Sequence, residues 1–134
     1  MKIAAVVVTY NRKTLLQECL DSILSQTRKV DSLIVIDNAS TDGTDKLFER
    51  GAKYDLPVVD YKKMSSNLGG AGGFYEGVKY SYKSEADWVW IMDDDTIPTE
   101  SALQAFCNAL EVIKEEPSFL ASSVFGMNME PMNV

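Results

Sequence analysis

Short apolar runs alternate with stretches of helical spacing along the whole chain, and this alternation restricts the fold more than any other feature. Residues 3–8, 33–36 and 88–92 are continuous apolar runs of strand length, rich in β-branched and aromatic side chains. Runs that are apolar on both faces suit a parallel sheet covered on both sides. Residues 56–61 read as a further strand, placed nearer an edge because Pro57 cannot donate to a ladder. Residues 119–125 read as a fifth. Between these runs, Leu15, Leu16, Cys19, Leu20, Ile23 and Leu24 recur at helical intervals, which predicts a helix over 13–25. Short helices are expected over 45–54 and from about 73 to 83. Another is expected from Thr96 onward, with Leu103, Phe106, Cys107, Leu110 and Ile113 on one face. The order β-α-β-α-β-α-β-α-β predicts an α/β fold, a doubly wound, mostly parallel sheet in a Rossmann-like three-layer α/β/α arrangement.

A chain of 134 residues with 46% hydrophobic content can build one real core. Its net charge of −7 and lack of a basic stripe exclude nucleic acid as the main partner. There is no histidine, so neither a Ser-His-Asp triad nor a His-rich zinc site can form within the chain. Cys19 and Cys107 sit in apolar helical patterns and read as buried thiols of a reducing compartment. No apolar run is long enough for a membrane span, so a cytoplasmic protein, at most peripheral to a membrane, is expected.

In a parallel sheet the strand C-termini share one side, where open α/β sheets bind their ligands. Four polar or small-residue segments follow strand ends here: Thr9-Tyr10-Asn11-Arg12, Asp37-Asn38, the loop Asn67-Leu68-Gly69-Gly70-Ala71-Gly72-Gly73-Phe74, and Asp93-Asp94-Asp95. Adjacent carboxylates repel unless water or a hard cation such as Mg²⁺ or Mn²⁺ holds them, and those cations favour phosphate oxygens. The glycine loop has neither dinucleotide-fingerprint spacing nor a P-loop GKS or GKT. Glycines ahead of a helix still let a ligand approach the backbone closely and aim helix N–H groups at an anion.

Taken together, the motifs VVTYNR (7–12), VIDNASTDGT (35–44), NLGGAGGF (67–74) and MDDD (92–95) resemble the family 2 glycosyltransferases, in the family's order and over residues 1 to about 125. The glycine loop is most similar to the branch of galactofuranosyl- and rhamnosyltransferases. The resemblance implies a GT-A fold, a nucleotide-diphosphate sugar donor with UDP or dTDP as carrier, and Mn²⁺ or Mg²⁺ as cofactor. It implies that Thr9, Tyr10 and Arg12 line the nucleotide pocket, that Asp37 accepts a hydrogen bond from the base, and that Asn38 stands beside it. It places Asn67, Gly70, Gly72 and Gly73 against the ribose and diphosphate. Asp93 and Asp95 match the metal-binding DxD, with Asp93 also reaching the ribose, and Asp94 is expected to face the sugar.

An inverting displacement also needs a carboxylate to deprotonate the acceptor hydroxyl. The family carries that base, the acceptor site and often a histidine ligand on a further segment of about 100 residues or more. The expectation is therefore a donor-binding domain over 1–125, an irregular tail over 126–134 at a truncation, and no catalytic base in this chain. The acceptor is expected to be a saccharide or a lipid-linked glycan, and the full-length protein is expected at the inner face of a membrane. A second copy is expected to pair with the exposed fifth strand. A non-catalytic nucleotide-binding or assembly module would use the same motifs. A nucleotidyltransferase fits less well, because the loop after the first strand has no glycine.

Overall fold

The computed structural model describes residues 1–132. Four strands form one parallel sheet: β1 (Ile3–Thr9), β2 (Ser32–Asp37), β3 (Val59–Lys63) and β4 (Trp88–Asp93), in the spatial order β3-β2-β1-β4. Helix α1 (Lys13–Leu24) connects β1 to β2, α2 (Gly69–Lys83) connects β3 to β4, and α3 (Ala102–Val112) follows β4. The strand order reverses between β1 and β4, because α2 carries the chain back across β2 and β1. Such a switch point is where an open α/β sheet leaves a crevice.

β1 is central and every one of its residues is buried. Its side chains alternate between two cores. Ile3, Ala5 and Val7 pack with Leu16, Cys19, Leu20 and Ile23 of α1 and with Leu103 and Cys107 of α3. Ala4, Val6 and Val8 pack with Ile34, Ile36 and Phe74 beneath α2. The sheet is therefore doubly wound, with α1 and α3 on one face and α2 on the other. Helix α2 approaches closely because Gly73, Gly77 and Ser81, spaced one turn apart, are its buried positions.

Several expected boundaries shift. Residues 119–125 are not a strand of the sheet, and Phe125 makes only an isolated antiparallel bridge with Pro131. Ser122 and Ser123 interrupt the apolar run, and Phe119 is 79% exposed rather than buried. The segment instead lies along the outer side of β4, where it shares a cleft with Trp88, Trp90 and Phe106. The pairing edge expected for a second copy is thus not formed by these residues. The helix expected over 45–54 is a 3₁₀ turn, Thr44–Phe48, followed by further turns. β3 begins at Val59 because Leu56–Val59 is closed by a turn, with Val59 N–H donating to Leu56 O at 2.9 Å. Helix α2 starts four residues early and takes the glycines into its first turns. Helix α3 starts at Ala102, after an irregular stretch containing Pro98. Among the described residues no helix is long and apolar enough to cross a membrane.

Candidate functional site

The ends of β2, β1 and β4 stand in one row, with Thr9 opposite Asp37 and Val8 opposite Asp93. This row brings three of the four polar segments to a common edge. Thr9 is 2% exposed, and its hydroxyl donates to Asp94 Oδ2 at 2.9 Å across the gap between β1 and β4. Asn11 then takes a positive φ of 48°, a conformation that asparagine tolerates better than most residues. Its backbone N–H donates to Ser40 Oγ at 2.9 Å, and its side-chain oxygen accepts the Thr41 N–H at 2.7 Å. The loops after β1 and β2 are therefore laced together, while Tyr10 and Arg12 point outward and are half-exposed.

Asp37 is fully buried, and both of its oxygens are engaged. Oδ1 accepts the Ser40 N–H at 2.9 Å and Oδ2 accepts the Tyr61 hydroxyl. The carboxylate fastens the turn after β2 to β3 and is fully enclosed. Burial, and then the hydrogen bond to Asp37 and that carboxylate's charge, push the Tyr61 phenol far above its ordinary pKa, so it remains a donor at any working pH. Tyr61→Phe is expected to cost about 1 kcal/mol, because it leaves a buried acceptor unmatched. An unchanged urea midpoint would show that the contact carries no such weight.

Asn38, also buried, joins this edge to the glycine loop. Its Nδ2 donates to Gly69 O at 3.1 Å, and its Oδ1 accepts the Leu68 N–H at 3.4 Å. Asn67 Oδ1 accepts the Gly69 N–H at 2.8 Å, and Gly69 turns into α2 with φ +72°. At Gly73 a Cβ would lie 2.5 Å from Val8 Cγ1, so only glycine lets the helix lie this close to β1. Gly70 faces open space, with nothing within 4 Å of a Cβ built there. The first N–H groups of a helix have no partner within it, so they form an anion-favouring end. Gly70 therefore lies on the open side of this helix start, Gly72 packs against Leu68 one turn earlier, and Gly73 sets the helix against β1.

The three carboxylates do not act alike. Asp93 and Asp95 are exposed, whereas Asp94 is 4% exposed and turned inward. Arg12 Nη1 lies 3.2 Å from Asp94 Oδ1 and 3.6 Å from Asp95 Oδ2. Burial raises the Asp94 pKa, the Thr9 hydroxyl and Arg12 pull it back, and the neighbouring Asp95 and Asp93 add to the rise. Asp94 thus faces Thr9 and Arg12 rather than solvent. Behind it, burial and the three aspartates push the Cys19 thiol up to about 12, so it stays protonated and inert near neutral pH.

Among the described residues no group of three or more His, Cys, Asp or Glu is arranged to hold a metal ion. Asp93 and Asp95 still suit a hard cation of the Mg²⁺ type, which takes one or two protein carboxylates and completes its shell with water and substrate phosphates. Ser40, Asn11 and Tyr61 are the residues that reading the motifs alone missed as parts of this edge. Ser40 and Asn11 lie inside the motifs, but Tyr61 carries no local signal.

The glycosyl transferase family 2 model matches residues 4–121. This chain belongs to glycosyl transferase family 2. The galactofuranosyltransferase GlfT1 of Mycolicibacterium smegmatis is 41% identical over 101 residues, covering 75% of this chain and 32% of that protein. The abequosyltransferase RfbV of Salmonella typhimurium is 37% identical over 105 residues, covering 75% and 30%. The chain therefore spans about a third of the length of these relatives. Staphylococcus aureus TarS 1-349, solved in complex with UDP, superposes with a TM-score of 0.69 at 24% identity, covering 83% of this chain and 32% of that one. The Pyrobaculum calidifontis mannosyltransferase PcManGT, solved with GDP-Man and Mn²⁺, superposes at 0.64 with 25% identity, covering 85% and 32%. The fold is that of the GT-A transferases.

Proposed function

We propose that this chain is the donor-binding part of a glycosyltransferase, taking a UDP- or dTDP-sugar together with Mn²⁺ or Mg²⁺ for transfer to a saccharide or lipid-linked acceptor. The observation that carries this reading is the convergence at one switch point of two exposed carboxylates, Asp93 and Asp95, with Tyr10 and Arg12 from the adjacent strand end. The open N-terminus of α2, tied to that edge through Asn38, supports it. Relatives named for galactofuranosyl and abequosyl transfer, and neighbours solved with UDP or with GDP-Man and Mn²⁺, agree with it.

In this reading Asp93 and Asp95 hold the metal, which would supply Lewis-acid neutralisation of the charge growing on the diphosphate leaving group. The N–H groups at the start of α2 receive diphosphate oxygens, and Tyr10 lies against the base. Asp37 and Asn38 position these loops from below. We place no acceptor base among these residues: the two buried aspartates, Asp37 and Asp94, are both committed to internal partners. Calorimetric titration with UDP-, dTDP- and GDP-sugars, with and without Mn²⁺, tests the proposal. Metal-dependent binding of one nucleotide class is expected. Absence of binding, or equal affinity with and without metal, would overturn it.

A further inference from the structure

We propose that Arg12 stands in for the divalent cation while the donor site is empty, moves from Asp95 to the donor diphosphate when a metal takes Asp95, and is held at this post by Asp94 as its positioning residue. This rests on the donor-site reading above. It deepens that reading by giving the middle carboxylate and the arginine tasks that the motif alone does not distinguish.

The geometry is asymmetric. On the inner side, Asp94 is buried between two donors, the Thr9 hydroxyl at 2.9 Å and Arg12 Nη1 at 3.2 Å. On the outer side, the same nitrogen stands 3.6 Å from Asp95, whose side chain is 55% exposed. Water screens the outer contact, and exposed pairs of this kind add little to a fold. The inner contact lies against a desolvated carboxylate and is the firm one. A guanidinium fixed at Asp94 and loosely held at Asp95 can give up Asp95 without leaving its place. It also keeps its charge at any pH the protein meets, and it carries five donors in a planar fork. Among the described residues Asp94 takes the one hydrogen bond this guanidinium makes, so the remaining donors are available to phosphate oxygens, which the fork fits in bidentate fashion.

The charges follow the same logic. Three adjacent carboxylates with one arginine leave an excess of negative charge at an exposed strand end. A metal on Asp93 and Asp95 and the guanidinium on Asp95 are like charges competing for one carboxylate. The arriving diphosphate relieves that competition, because it offers Arg12 a second anion within reach of its anchor.

The test is to measure Mn²⁺ binding without nucleotide, from the electron paramagnetic resonance signal of free Mn²⁺, and UDP binding by calorimetry at saturating Mn²⁺. Arg12→Ala should bind Mn²⁺ about threefold more tightly and UDP about tenfold more weakly, two changes of opposite sign. Lys13→Ala removes the same charge one residue away and should leave Mn²⁺ affinity within about twofold. Asp94→Asn keeps an acceptor for Thr9 and should also weaken UDP. The double variant should bind UDP no more weakly than Arg12→Ala alone, because Asp94 acts through Arg12. If Arg12→Ala fails to fold by circular dichroism, Arg12→Gln carries the same expectations. Unchanged or weaker Mn²⁺ binding in the arginine variant, an equal gain in Lys13→Ala, or additive losses for UDP would overturn the inference and leave the donor site standing. A wild-type chain that binds neither Mn²⁺ nor UDP would overturn both.

Discussion

Gly77→Val is expected to destabilise the protein by about 3 kcal/mol or more, which is at the upper end for overpacking a core. Gly77 is buried in the middle of α2, where a Cβ would lie 2.3 Å from Val6 Cγ1 and 3.4 Å from Ile36 Cγ1. Val6 cannot give way. It is fully buried in the central strand, between β2 and β4, and a β-branched side chain is stiff about its first torsion. Even alanine's helix propensity, worth about 1 kcal/mol over glycine, would not offset a contact that short. Gly70→Ala is the matched control. A Cβ there meets nothing within 4 Å, and its backbone is not in the left-handed region, so it should be neutral or stabilise by up to about 1 kcal/mol. Urea unfolding of both variants decides the matter. A Gly77→Val protein with the wild-type midpoint would mean that α2 can lift off the sheet at little cost.

Asp95→Ala is expected to lower Mn²⁺-dependent donor affinity by about tenfold or more, which is ~1.4 kcal/mol, and to leave stability nearly unchanged. The carboxylate is exposed, and its ion pair to Arg12 is half-exposed on both sides, so the fold loses little. A hard cation with two protein carboxylates depends heavily on each of them. Donor binding measured in EDTA should be alike in the variant and the wild type. Equal affinities in Mn²⁺ would remove Asp95 from the metal site. Asp94→Asn separates the carboxylates in the opposite way: buried Asp94 should act on stability as well as on binding, whereas Asp95 should act on binding alone.

Much of this was legible in the residues. The β-branched runs of β1 and β2 can only be interior strands, because each is apolar on both faces, and the spacing of Leu16, Cys19, Leu20 and Ile23 can only be a helix on that sheet. The motifs after β1, β2 and β4 lie at one edge of the sheet, as their positions after successive strands imply. The run at 119–125 misled because it is apolar enough for a strand, yet strand formation needs a backbone partner and an uninterrupted buried face, and Ser122 and Ser123 break the second. Helix α2 begins four residues before the expected start because glycine's low helix propensity hides the turn at 69–72 from a local reading, whereas the helix it extends is fixed on the sheet further along, where Gly73 and Gly77 meet Val8 and Val6.

The sequence by itself determined the fold class, the family and the row of polar loops, since each of these follows from local periodicity and short motifs. Only the tertiary structure decided how neighbouring carboxylates divide their work. Adjacent residues past a strand end point in different directions, and whether one meets water or a threonine and an arginine depends on elements more than 80 residues away in the chain. That is why Asp93 and Asp95 are open to solvent, why Asp94 is buried against Thr9 and Arg12, and why Asp37 is enclosed by Tyr61 and Ser40.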